Sequence, residues 1–128
     1  MEKLENILRK MDFNFFGSGQ HTIGMEKAAR LIGKKDRAIF LDVRTPEEVN
    51  LLPFPFALHI PVNELPERLN ELPKDKLIII FCSSIVRAAI VYPYLLAKGF
   101  DEVKILHATT ENLASVLKPG PIYKRQQD

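Results

Sequence analysis

The run Leu77–Phe81, LIIIF, constrains the fold of this chain more than any other stretch. It is rich in β-branched residues and carries no polar side chain, so the strand it forms is apolar on both faces. Such a strand belongs at the centre of a parallel sheet covered by helices on both sides. The rest of the chain supplies the matching pieces. AIFLDV (38–43), ALHIP (57–61) and EVKIL (102–106) are short apolar runs bounded by turn residues, and each reads as a strand.

Helical patterns alternate with them. Leu4, Ile7, Leu8 and Met11 fall on one face of an N-terminal helix, and Gly24 and Gly33 bound a second. In TPEEVNLL (45–52), Thr45 caps, Pro46 takes the first helical position and Glu48 completes a capping box. The prolines of LPFPF (52–56) forbid that helix from continuing. NELPERLNELP (63–73) reads as helical turns, and Arg87 to Lys98 as a helix stopped by Gly99. TENLASVLK (110–118) makes one more helix. FFGSGQH (15–21) reads as a glycine-punctuated turn and PGPIYKRQQD (119–128) as a tail. Strands alternating with helices over 128 residues imply a single α/β domain.

Composition narrows the function. A net charge of +2, spread without a basic block, argues against nucleic acid as a partner. No apolar run approaches the roughly 20 residues of a membrane span, so no membrane partner is expected. The first residues lack the pattern of a secretory signal. A lone cysteine cannot form an internal disulfide, which makes the cytoplasm the expected compartment. It is also too few thiolates for a zinc site, and no histidine pair has metal spacing, so neither metal nor cofactor is expected.

In a parallel sheet, functional groups gather where strands end and loops turn into helices. Asp42, Arg44, His59, Cys82 and His107 hold those positions. His59 reads as a packed histidine and His107 as a loop residue. Asp42 reads as an acceptor for backbone groups of neighbouring loops. Cys82 differs from a cysteine inside the strand, which would be inert core. It stands just past the strand and just before a helix, among backbone N–H groups with no partner in that helix. Those groups and the helix dipole favour the thiolate. Ser83 and Ser84 add hydroxyls, and Arg87 closes the loop with a positive charge and a fork of donors. A thiolate in an amide-lined bowl is a nucleophile for electrophilic sulfur or phosphorus.

With AIFLDVRTPEE, ALHIPVNELPERLNELPKDKLIIIFC and CSSIVR leading into AAIVYPYLLAKGFDEVKIL, the chain resembles the rhodanese (sulfurtransferase) family from about Ile23 to Leu117. The resemblance implies a single rhodanese-like domain, a parallel sheet of about five strands with helices on both faces. It divides the chain into an N-terminal helical extension (1–19), the domain (20–118) and a C-terminal tail (119–128). It implies that Cys82 takes a sulfane sulfur from a thiosulfate- or persulfide-type donor and yields it to a thiol, to cyanide or to an acceptor protein. Ser83, Ser84, Ile85, Val86 and Arg87 would form the cradle, and Asp42 and Arg44 the supporting D-x-R box. Cys82 to Arg87 spans six residues, the sulfurtransferase size; related phosphatases use one more. The family has glycine at the fourth loop position, where this chain has Ile85. If that position takes positive φ, isoleucine distorts the bowl. The alternative reading is a rhodanese-like binding or regulatory module without useful turnover. Phe13, Phe15, Phe16, Phe54 and Phe56 would then be candidates for its docking surface.

Overall fold

The computed structural model describes residues 1–127. Five strands form one parallel sheet: β1 (Thr22–Gly24), β2 (Ala38–Asp42), β3 (Leu58–His59), β4 (Leu77–Phe81) and β5 (Val103–His107). Their order is β1-β5-β4-β2-β3, and every pairing is parallel. LIIIF is the central strand, as its two apolar faces require. Ile78 and Ile80 point into one core with Leu41, Val91 and Leu95, and Ile79 and Phe81 into the other with Phe40, Leu106 and Leu113. Side chains alternating at a period of two thus feed both layers at once.

The helices are α1 (Glu2–Arg9), α2 (Phe13–Ser18), α3 (Met25–Ala29), α4 (Pro46–Leu51), α5 (Val86–Ala97), α6 (Thr110–Ser115) and α7 (Pro119–Gln126). Two 3-10 turns, Val62–Glu67 and Leu69–Glu71, fill the connection from β3 to β4. Helix α5 covers the Ile78/Ile80 face with Ala88, Val91 and Leu95, and Met11 and Phe15 of the N-terminal segment pack against the same core. Helices α3 and α6 cover the opposite face through Ala28 and Leu113. No helix among the described residues is long and apolar enough to cross a membrane.

Three local readings change. FFGSGQH is not simply a turn: Asp12 accepts from the Phe15 N–H and starts α2, which ends at Gly19 with φ +68°. Gly17 is a tolerated interior glycine and Gly19 the left-handed cap. The segment read as a tail forms α7 up to Gln126, and Asp128 lies outside the described residues. Pro119 and Pro121 occupy its first turn, where N–H groups have no intrahelical partner, so neither disrupts it. Thr22–Gly24, which carries no long apolar run, gains strand structure by pairing with the edge of β5.

Candidate active site

The loop from Cys82 to Arg87 joins the carboxyl end of β4 to α5. Cys82 has no exposed surface, while Ser83, Ser84, Ile85 and Val86 above it are exposed. Ile85 is the N-cap residue of α5, and no side chain caps the helix. Among the described residues, the backbone N–H groups from Ser83 to Arg87 have no protein acceptor. Five successive donors therefore follow Cys82 without a protein partner, and unpaired N–H groups at a helix start favour an anion.

Ile85 has φ −135°, and no non-glycine residue among those described has positive φ. The concern that isoleucine spoils the loop rested on a left-handed conformation at this position. The loop does not adopt one, so a β-branched side chain meets no left-handed strain here.

Arg87 closes the loop from α5. Its Nη1 donates to Glu48 Oε1 at 2.6 Å and its Nη2 to Glu48 Oε2 at 2.8 Å. Nη2 also donates to Ser83 Oγ at 2.8 Å. The guanidinium thus holds both ends of the loop and docks it on α4. This bidentate pair lowers the Glu48 carboxyl from an ordinary 4.5 to about 2, chiefly through the hydrogen bonds from Arg87. Arg87 is pushed up in turn, first by Glu48 and to a smaller extent by Cys82. The positive charge of Arg87 is therefore largely balanced by Glu48. The loop offers amide dipoles more than a free cation.

Glu48 performs two tasks. Its Oε1 accepts from the Thr45 N–H at 3.0 Å, and Thr45 Oγ1 accepts from the Glu48 N–H at 3.3 Å, which completes the capping box of α4. The same carboxylate anchors Arg87. Sequence spacing reveals the first task only, because the second partner lies 39 residues away.

Asp42 and Arg44 form a buried pair, 1% and 2% exposed. Arg44 donates from Nε to Oδ1 at 2.9 Å and from Nη2 to Oδ2 at 2.7 Å, and its backbone N–H donates to Oδ1 at 3.1 Å. Its Nη2 also reaches the Leu52 carbonyl at 2.9 Å, and its guanidinium lies 4.7 Å from the centre of the Phe54 ring. His59 Nε2 donates to the Arg44 carbonyl at 2.8 Å, since a carbonyl can only accept. These bonds fasten both ends of α4 and the proline-rich connection to the sheet, and α4 in turn carries Glu48 to the loop. Asp42 and Arg44 bond to each other and to the connection after α4, and Asp42 pairs in register with Phe81, the residue before Cys82. Phe54 is buried, and Phe56 packs on Phe40 and Phe81, so neither forms a docking surface. Phe13 and Phe16 are exposed.

Among the described residues no group of three acidic, histidine or cysteine side chains could hold a metal ion.

Comparison with known proteins fits this geometry. A protein of Allochromatium vinosum named as a sulfurtransferase is 31% identical over 81 residues, which span 63% of this chain and 76% of that protein. The crystal structure of a rhodanese-like domain protein from Staphylococcus aureus matches with a TM-score of 0.64 at 27% identity, covering 71% of this chain and 88% of that one. A single-domain sulfurtransferase of Saccharomyces cerevisiae matches with a TM-score of 0.60 at 28% identity, covering 73% of this chain and 89% of its own. The sequence profile of the rhodanese-like domain family spans residues 25–113, from the start of α3 into α6, and with it the whole Cys82 loop. The chain belongs to the rhodanese-like domain family.

Proposed function

We propose that this protein is a sulfurtransferase that carries a sulfane sulfur as a persulfide on Cys82. The observation that carries the reading is the placement of a lone sulfur at the end of the central strand, under a six-residue loop whose N–H groups have no protein acceptor. Relatives named as sulfurtransferases support it.

In the first half-reaction the Cys82 thiolate attacks the outer sulfur of the donor. A bond forms from Sγ to that sulfur, and the sulfur–sulfur bond of the donor breaks. Sulfite leaves if the donor is thiosulfate; a thiolate leaves if it is a persulfide. The negative charge on the new terminal sulfur lies among the amides of Ser83 to Arg87, which stabilise it as an oxyanion hole stabilises oxygen. Arg87 contributes by fixing the loop through Glu48 and Ser83, so that the amides are oriented before the reaction begins. In the second half-reaction an acceptor attacks the terminal sulfur and the Cys82 thiolate leaves. With no second cysteine in the chain, the acceptor is external: cyanide, a small thiol or a cysteine of another protein.

The test is intact mass after incubation with thiosulfate and, separately, with a persulfide donor. The expected result is a gain of about 32 mass units, one sulfur atom on the nucleophile, reversed by cyanide and absent in Cys82→Ser. The variant should melt within a few degrees of the parent. Undiminished transfer by Cys82→Ser would overturn the proposal. So would the lack of any adduct on folded, reduced protein.

A further inference from the structure

The N-terminal segment builds a cavity of about 530 Å³ against the side of α5 that leads to the Cys82 loop. Leu8 of α1, Phe15 and Phe16 of α2, and Ala89 and Tyr92 of α5 form its walls, and Ile85 completes them. Ile85 is shared: it lines the cavity, and it is the N-cap residue of α5 in the loop that follows Cys82. No lysine, arginine, aspartate or glutamate lines the cavity. Its polar groups are few. His107 stands at the carboxyl end of β5, and the His21 ring lies against Phe15 and Phe16 at 4.9 and 5.4 Å. His21 Nδ1 is buried and has no hydrogen-bond partner.

We propose that this cavity is the subsite for the organic portion of the sulfur donor, and that the donor is an uncharged, apolar organic persulfide. The inference rests on the persulfide reading of Cys82 and extends it to a substrate class. Three observations point to this occupant. The cavity is far larger than thiosulfate needs, and it offers no cation to a dianion. Arg87, the nearby charge, is already held by Glu48 and Ser83. The cavity wall and the reactive loop share Ile85, so a group seated among Phe15, Phe16 and Ala89 lies beside the loop that follows Cys82. The transfer is balanced without a further reagent. The Cys82 thiolate attacks the terminal sulfur of R–S–SH, the sulfur–sulfur bond breaks, Cys82 becomes the persulfide with the proton on its outer sulfur, and R–S⁻ leaves into the cavity.

Phenylmethanethiol, the thiol left by benzyl hydropersulfide, is a direct probe. With the full chain carrying Cys82→Ser, NMR titration should give saturable shifts at Ile85, Ala89 and His21. Ala89→Trp fills the cavity from an exposed helix position and should weaken this binding at least tenfold. Phe16→Ser, which removes a wall at the surface, should weaken it too and serves if the tryptophan variant misfolds. With Cys82 present, the rate of adduct formation from benzyl hydropersulfide relative to thiosulfate should fall at least tenfold in Ala89→Trp. Absence of saturable shifts, shifts confined to another part of the surface, or equal affinity in the folded variants overturns the subsite. Saturable binding with no sulfur adduct on Cys82 leaves the cavity a thiol site but overturns the persulfide reading, and the donor assignment with it. Adduct formation from benzyl hydropersulfide without binding at Ile85 and Ala89 overturns the subsite alone.

Discussion

Replacing Glu48 by glutamine separates the two tasks of that residue. Glutamine can complete a capping box, so α4 keeps its start, while the charge that anchors Arg87 is removed. The Arg87 and Glu48 side chains are each 32% exposed. A fully exposed ion pair contributes about 0.2–1 kcal/mol, and breaking a fully buried one costs about 3–5 kcal/mol. Two short charge-assisted hydrogen bonds place this pair above the surface class, and its solvent contact keeps it well below the buried class. We expect Glu48→Gln to cost about 1–2 kcal/mol. For a chain of this size that is a fall in melting temperature of about 4–8 °C. Glu48→Ala should lose about 0.5–1 kcal/mol more, because the bond that the side chain accepts from the Thr45 N–H goes as well, while Thr45 still caps the helix. Urea unfolding measures both. In an Arg87→Met background the glutamine substitution should cost little, because the partner is already gone.

The pH dependence gives an independent check. The Glu48 carboxyl is held at about 2 in the folded protein against an ordinary 4.5. Its contribution is therefore fully present above about pH 4.5 and is lost as the pH falls toward 2. The stability gap between the parent and Glu48→Gln should be constant from pH 8 to pH 5 and close below that. Sulfur transfer by Glu48→Gln should fall by about tenfold, because the amides over Cys82 are no longer fixed in place. Equal costs of the substitution with and without Arg87, or a gap that does not change with pH, would refute the account of this carboxylate.

Other substitutions test other parts of the argument. Arg44→Leu leaves the Asp42 carboxylate buried without its partner and should cost about 3–5 kcal/mol; a variant within 1 kcal/mol of the parent by urea unfolding would show that this pair does not anchor α4. Ile85→Gly restores the residue type of the family to a position with φ −135°. It should lower stability by about 0.5–1 kcal/mol through added chain entropy without raising sulfur transfer from thiosulfate. A large gain in that transfer would mean that the loop does require left-handed backbone. Gly99→Ala meets φ +92° and a Cβ contact of 3.3 Å with Lys74 Nζ, so it should destabilise by about 1 kcal/mol in the same unfolding assay.

The parts of this protein legible in its sequence are those that depend on neighbours along the chain. LIIIF declares a central strand because both of its faces are apolar, and Thr45-Pro46-Glu47-Glu48 declares a helix start because all its partners lie within one turn. Cys82 is conspicuous because the apolar run ends there. What escaped depends on partners far away in sequence. Thr22–Gly24 is a strand only because β5 offers an edge. Glu48 looks fully employed by its own helix, so nothing in the local pattern points to Arg87. The charge of Arg87 looks available to a substrate until that carboxylate is found beside it. Gly17 and Pro121 interrupt the local helical pattern, yet a short helix tolerates the first and a first turn the second. The cavity beside α5 is assembled from α1, α2, α5 and the ends of two strands, and no single stretch announces it.

The depth of Cys82 beneath its loop bears on how long a cargo survives. A persulfide exposed on a protein surface is stripped by whatever thiol collides with it. On the persulfide reading, one formed at Cys82, which has no exposed surface, would be open only to reagents that its surroundings admit. Burial then acts as a size filter on discharge. The lifetime of the carried sulfur would then be set by the shape of the acceptor more than by the total thiol concentration around it, and a reactive group would become a store read out by selected recipients.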